Sequence, residues 1–190
     1  LDSARFNIPV YCEVVTWNPE QRSIPSSTLK GADAVINLAG EGIADGRWSS
    51  ERKNKIIQSR VISTRQIIKA MTYMNLKPKV FVSASAIGIY GDRGDELLNE
   101  SSSNGEGFLS QVCRVWEDEI NNAKALGVRT VSLRIGMVLG HDGGALEKML
   151  PPFQLGVGGK LGSGSQWMSW IHINDLVNMM IHVVENSSLN

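Results

Sequence analysis

The chain has 190 residues, 42% apolar and 20% charged, which suits one well-buried globular domain and is too short for two. Its 19 basic residues balance 19 acidic ones, so charge argues for neither a general nucleic-acid partner nor a membrane-surface partner. No apolar run approaches a membrane span, no N-terminal signal peptide is visible, and Cys12 and Cys113 show neither metal spacing nor a disulfide framework. A reducing, cytoplasmic setting fits this cysteine usage.

In chain order, Val10, Cys12, Val14 and Thr16 alternate with Tyr11, Glu13 and Val15, predicting a strand that Trp17, Asn18 and Pro19 close. Residues 33–38, DAVINL, predict a second strand ending in the small residues Ala39 and Gly40. A loop with Gly42 and Gly46 reaches Trp48, and Ser49 or Ser50 caps a long helix running to about Met74. Its apolar stripe is Ile57, Val61, Thr64, Ile68 and Met71, with Arg60 on the flank. A guanidinium there needs an anion or several acceptors; the alternatives are a salt bridge or an arginine that snorkels to the surface.

Pro78 stops that helix, and residues 79–92, KVFVSASAIGIYGD, are the stretch around which the chain is organised. Val80, Phe81 and Val82 predict a buried strand that gives way to Ser83, Ala84, Ser85 and Ala86 before Tyr90 and Gly91 turn the chain. Ligands of parallel α/β sheets bind at the C-terminal strand ends, so these small residues mark either a site or a core strand with a tight loop. A second helix follows from Gly107 to about Ala125, with Leu109, Val112, Trp116, Ile120 and Ala123 inward. Gly127 ends it, and TVSLRI at 130–135 is the next strand. Residues 140–170 are dense in glycine and read as a mobile, substrate-side lid. A last strand at 170–173 leads to a helix capped by Asn174 or Asp175. The recurring order of helix, glycine and strand predicts an α/β fold with a parallel sheet.

Several ordered strings carry a family resemblance: NLAGE at 37–41, Trp48 followed by Ser59 and Arg60, SASAIGIYG at 83–91, LRIGMVLG at 133–140, and GSGSQWMSWIHINDL at 162–176. Together they resemble the extended short-chain dehydrogenase/reductases, and among these the epimerase-like family of uncharacterised nucleotide-sugar epimerase relatives. The resemblance implies a Rossmann-like, doubly wound parallel sheet over residues 1–190 that holds NADP or NAD and is incomplete at its N-terminus. It implies oxidoreductase or epimerase chemistry on a small hydroxylated substrate, nucleotide-linked substrates included. Leu38, Ala39 and Gly40 would lie against the cofactor's adenosine side. Arg60 would meet a cofactor phosphate or ribose, a 2′-phosphate favouring NADP. Arg134 would line the nicotinamide side, and Ser85 and Tyr90 would be the best hydrogen-bonding groups for the chemistry.

Three departures qualify that implication. The glycine-rich dinucleotide turn between a first strand and helix is missing. The slots of the superfamily's Tyr-x-x-x-Lys pair, placed by aligning on Glu117, hold Leu109 and Cys113, and the usual serine slot holds Ala86. Met168 occupies the position of an arginine for substrate phosphate, leaving Trp167 and Trp170 either to stack on a ring or to pack. A second reading therefore stands beside the first: a non-catalytic cofactor-binding protein acting through a protein partner. Of the remaining candidates, His172 reads as structural, His141 as better placed for chemistry, Glu41 as bonded to a ribose or solvated, and Cys113 as a thiol without a basic activator.

Overall fold

Three short apolar segments zip into one parallel sheet: β1 (Ala34–Asn37), β2 (Val80–Ala86) and β3 (Arg129–Ile135), in the order β1-β2-β3. The computed structural model describes residues 12–189 apart from 22, 26, 142 and 161. The register pairs Asn37 with Ser83 on one side of β2 and Ser85 with Arg134 on the other.

Both sheet faces are covered. Helices α1 (Ser50–Thr72) and α2 (Phe108–Asn121) pack on one face, where Ile67, Ile68 and Met71 meet Phe81, Trp116 and Ile120. On the other face Val80, Val82, Val131 and Leu133 meet Leu176, Met180 and Val183 of α4 (Ile173–Glu185). This two-sided burial explains why β2 reads as a continuous apolar run rather than an alternation. A second, two-stranded parallel sheet joins β4 (Met137–Gly140) to β5 (Trp170–His172), with α3 (Gly144–Gln154) between them in the chain.

Local chemistry fixes the helix ends. Ser49 caps α1 by accepting from the Arg52 amide at 3.2 Å, and Glu51 lies in the first turn. After α2 a 3₁₀ turn (Asn122–Leu126) runs into Gly127, whose φ of +73° is the left-handed conformation that glycine adopts without strain.

Some expectations change. In the strand expected over 10–16, residues 10 and 11 lie outside the described residues, and 12–18 form no strand. The buried side of α1 contains Ile56, Thr64, Ile68 and Met71, while Ile57 and Val61 are only half-buried, a rotation of one residue. Strand β2 continues through Ser83–Ala86 positions to its end at Ala86, because the ladder to β3 holds small residues that have no pattern of their own. A 3₁₀ turn (Ile87–Tyr90) then follows. The glycine-rich 140–170 segment contains helix α3, with no buried residue. The cap of α4 is His172, whose Nδ1 accepts from the Asn174 amide at 3.2 Å, rather than Asn174 or Asp175. Among the described residues no helix is long and apolar enough to cross a membrane.

Candidate functional site

The C-terminal ends of the three strands carry two separate polar assemblies. The first begins at Asn37, 2% exposed, whose Nδ2 donates to Thr64 Oγ1 at 3.0 Å and Ser83 Oγ at 3.2 Å. Its Oδ1 accepts from the Ala39 amide at 3.1 Å, and Trp116 Nε1 donates to Thr64 Oγ1 at 3.1 Å. A buried amide with partners on α1 and β2, and with Trp116 of α2 joined to it through Thr64, fixes where the 38–42 loop leaves the sheet.

That loop meets Arg60. A Cβ on Gly40 would lie 3.0 Å from Arg60 Cζ, so glycine here lets the guanidinium pass against the backbone. Arg60 Nη1 donates to the carbonyls of Glu41 at 3.0 Å and Ile56 at 2.9 Å, and its Cζ lies 5.1 Å from the centre of the Trp116 ring. Neither the salt bridge nor the snorkelling arginine is found: among the described residues Arg60 has no carboxylate in ion-pair contact. Burial presses its pKa below the ordinary arginine value. Glu41, beside it, is taken by Arg52 at 2.7 Å and Lys55 at 3.7 Å. Leu38, Ala39, Gly40 and Arg60 thus come together as one feature, with Leu38 exposed.

The second assembly joins Ser85 and Arg134 at Glu117, with Tyr90 bonded in turn to Arg134. Arg134 forks onto this carboxylate, Nε to Oε1 at 3.0 Å and Nη2 to Oε2 at 2.9 Å. Ser85 Oγ donates to Glu117 Oε1 at 2.6 Å, and Arg134 Nη1 donates to Tyr90 Oη at 2.9 Å and to the Glu100 carbonyl at 3.1 Å. The Glu117 hydrogen bonds hold Arg134's pKa above the ordinary arginine value. Ser85 and Tyr90 are buried, at 3% and 9% exposure, and Arg134's three nitrogens are all committed to protein partners. Glu117 entered the sequence reading only as an alignment mark. Its position on α2 four residues after Cys113, on the helix's inner side, was the available signal.

The Leu109 and Cys113 positions face the 3₁₀ turn: a Cβ on Gly88 would lie 3.3 Å from Leu109 Cβ and 3.7 Å from Cys113 Sγ. Burial pushes the Cys113 thiol's pKa up, so this position carries no activated nucleophile. A cleft of about 620 Å³ opens beside the second assembly, lined in part by Tyr90, Glu117, Arg134, Gly136, Ile171 and Met179. Trp167 and Trp170 are largely exposed, and Met168 is exposed too, so the tryptophans do not pack in a core. Among the described residues no group of acidic, His and Cys side chains is arranged to hold a metal.

A doubly wound parallel sheet with a close-approach glycine and a carbonyl-held arginine at its strand ends defines a Rossmann-like nucleotide-binding fold. The chain belongs to the NAD dependent epimerase/dehydratase family, whose profile matches residues 15–190. It is 44% identical over 162 residues to the chloroplastic epimerase family protein SDR39U1 homolog of Arabidopsis thaliana, covering 84% of this chain and 46% of that protein. It is 39% identical over 177 residues to the epimerase family protein YfhF of Bacillus subtilis, covering 93% and 57%. Among solved structures, the human epimerase family protein SDR39U1 (isoform2), crystallised with NADPH, superposes with a TM-score of 0.78 at 34% identity, covering 87% of this chain and 57% of that one. The chain spans about half the length of these relatives. Family and fold therefore match the resemblance read from the sequence.

Proposed function

We propose that this chain supplies the adenosine-side loop and the strand-end polar array of an NADP(H)-binding, epimerase-like oxidoreductase. The observation that carries this reading is Arg60. Two backbone carbonyls hold its Nη1, while Nε and Nη2 make no hydrogen bond among the described residues. A fixed guanidinium with spare donors beside a close-approach glycine suits a phosphate or ribose oxygen. The NADPH in the human relative's structure supports the phosphorylated cofactor.

In this reading Leu38, Ala39 and Gly40 lie along the adenosine side, Gly40 permitting close backbone approach. A nicotinamide cofactor, when bound there, would supply hydride-transfer chemistry. Arg134, braced by Glu117, orients Tyr90 by donating to its hydroxyl, which leaves the Tyr90 proton available to a substrate oxygen. Ser85 stands one residue from the usual serine slot and holds Glu117 from the other side. Residues 140–170 act as the substrate-side lid over a small hydroxylated substrate. Met168 offers no cation, so a nucleotide-linked substrate loses one expected phosphate partner. Two free cysteines support a reducing, cytoplasmic setting.

One observation favours the non-catalytic alternative: Leu109 and Cys113 present carbon and a buried thiol where a proton-transfer pair would stand. Titrating the chain with NADPH and NADH by nicotinamide fluorescence tests cofactor binding. Saturable NADPH binding is expected, and absence of binding to both would overturn the proposal. Sustained NADPH oxidation with a panel of aldehydes and sugar nucleotides then separates catalysis from passive cofactor holding.

A further inference from the structure

Helix α3 lacks a core of its own. None of its residues is buried, and Leu150, Phe153 and, just beyond it, Leu155 remain exposed. Polar ties from this part of the chain instead reach two loops. Lys148 Nζ on α3 reaches Asp45 Oδ1 at 2.9 Å in the loop after β1, and Trp167 Nε1 donates to Asp95 Oδ1 at 2.7 Å in the loop after the β2 end. The ties therefore land beyond the C-terminal ends of two adjacent strands, where the candidate site lies.

Both receiving carboxylates stand on loops stiffened by an arginine. Arg52 bonds Glu41 at 2.7 Å and the Gly42 carbonyl, cinching the loop that presents Asp45. Arg93 forks onto Glu96, Nε to Oε2 at 2.7 Å and Nη2 to Oε1 at 2.6 Å, and donates to the Ser103 carbonyl at 3.2 Å, cinching the loop that presents Asp95. The chain around α3, by contrast, is jointed with glycine. Gly143, Gly144, Gly156, Gly162 and Gly164 all have positive φ, between +58° and +145°, so the backbone on both sides of α3 adopts conformations that other residues resist.

We infer that Asp45 and Asp95 are the two fixed halves of a latch, closed by Lys148 and Trp167, that seats the 140–170 segment over the strand ends. This rests on the lid reading of that segment given above. Lys148 and Asp45 side chains are 61% and 53% exposed, so the ion pair is worth little and the latch opens readily. Because Asp45 follows the Leu38–Gly42 loop, the same short loop carries the proposed cofactor contact and one latch half. Opening for substrate exchange then leaves the Arg60 contact undisturbed.

Hydrogen exchange of α3 amides in the full chain with saturating NADPH tests this, using Lys148→Ala, Asp45→Asn, their double variant and Trp167→Phe. Each single variant at the ion pair is expected to speed exchange in 144–154 roughly two- to five-fold, with the double variant no faster than either. Adding 1 M NaCl, about 3 Å of screening length, should speed wild type and leave Lys148→Ala unchanged. Trp167→Phe should speed exchange around 162–169, and NADPH affinity and melting temperature should stay as in wild type. Unchanged exchange in the single variants, or effects of Lys148→Ala and Asp45→Asn that simply multiply, would overturn the latch. Loss of NADPH binding in Arg60→Ala with α3 exchange unaltered would separate this result from the cofactor assignment.

Discussion

Arg134 grips Glu117 with two parallel hydrogen bonds, at 3.0 and 2.9 Å, and this fork ties β3 to α2 beneath the strand ends. The same carboxylate accepts from Ser85 of β2, so three elements converge on one side chain. Glu117→Ala leaves Arg134 and Ser85 without their shared acceptor. A loss of about 2–3 kcal/mol is expected from urea unfolding, with Glu117→Gln losing less because its amide oxygen still accepts from Ser85. Arg134's pKa, held above the ordinary arginine value by the Glu117 hydrogen bonds, keeps its end of the fork charged across the accessible pH range.

Asn37 is the corresponding hub at β1. Removing its carboxamide in Asn37→Ala takes one donor from each of Thr64 and Ser83 and the acceptor from the Ala39 amide. The expected cost is about 1–3 kcal/mol in denaturant unfolding. Because the 38–42 loop departs from this amide, NADPH affinity should weaken as well.

Gly105 admits no side chain. A Cβ there would lie 1.9 Å from the Tyr90 carbonyl oxygen and 2.4 Å from its carbon, and the Gly105 amide already donates to Ile89 at 2.9 Å. Gly105→Ala must push the 3₁₀ turn away from the start of α2, costing about 1–3 kcal/mol and lowering the melting temperature. Gly94→Ala, where a Cβ meets nothing within 4 Å but φ is +56°, should cost less.

The two thiols should separate kinetically. Cys12 is exposed, whereas Cys113 is buried and its pKa is pushed above the ordinary thiol value by that burial. A disulfide reagent at pH 8 should modify Cys12 rapidly and Cys113 only as the chain unfolds. The sign of the linkage follows: the folded thiol holds its proton more tightly than the unfolded one. Cys113 therefore contributes its full stability below the unfolded thiol's pKa and loses it as pH rises through the folded value. Equal fast reaction of both thiols would contradict this burial.

Much of the frame was legible because single residues dictate it. Ser49 as a cap, Gly127 as a left-handed stop and the apolar runs of β1 and β3 each have a local cause. What was hidden depends on distant partners. Strand β2 extends through Ser83 and Ser85 only because β3 lies alongside, and α3 was masked by flanking glycines and by Pro151 and Pro152 inside it. Ser85, Tyr90 and Arg134 are each legible as candidates, yet the joining of Ser85 and Arg134 at Glu117, and of Tyr90 to Arg134, is a tertiary fact that no spacing along the chain encodes. Arg60 shows the reverse case. Its place beside an apolar stripe flagged a charge needing acceptors, and the structure supplies two backbone carbonyls rather than a carboxylate.

The most direct test of the account is the NADPH dissociation constant of wild type against Arg60→Ala. Loss of one charge-assisted contact to a phosphate, worth about 1.5–3 kcal/mol, predicts an affinity roughly ten- to a hundred-fold weaker in the variant. The preference for NADPH over NADH should shrink with it if the contact is to the 2′-phosphate. Equal NADPH affinity in a folded Arg60→Ala chain would contradict the assignment of this arginine, and with it the observation on which the proposed function rests.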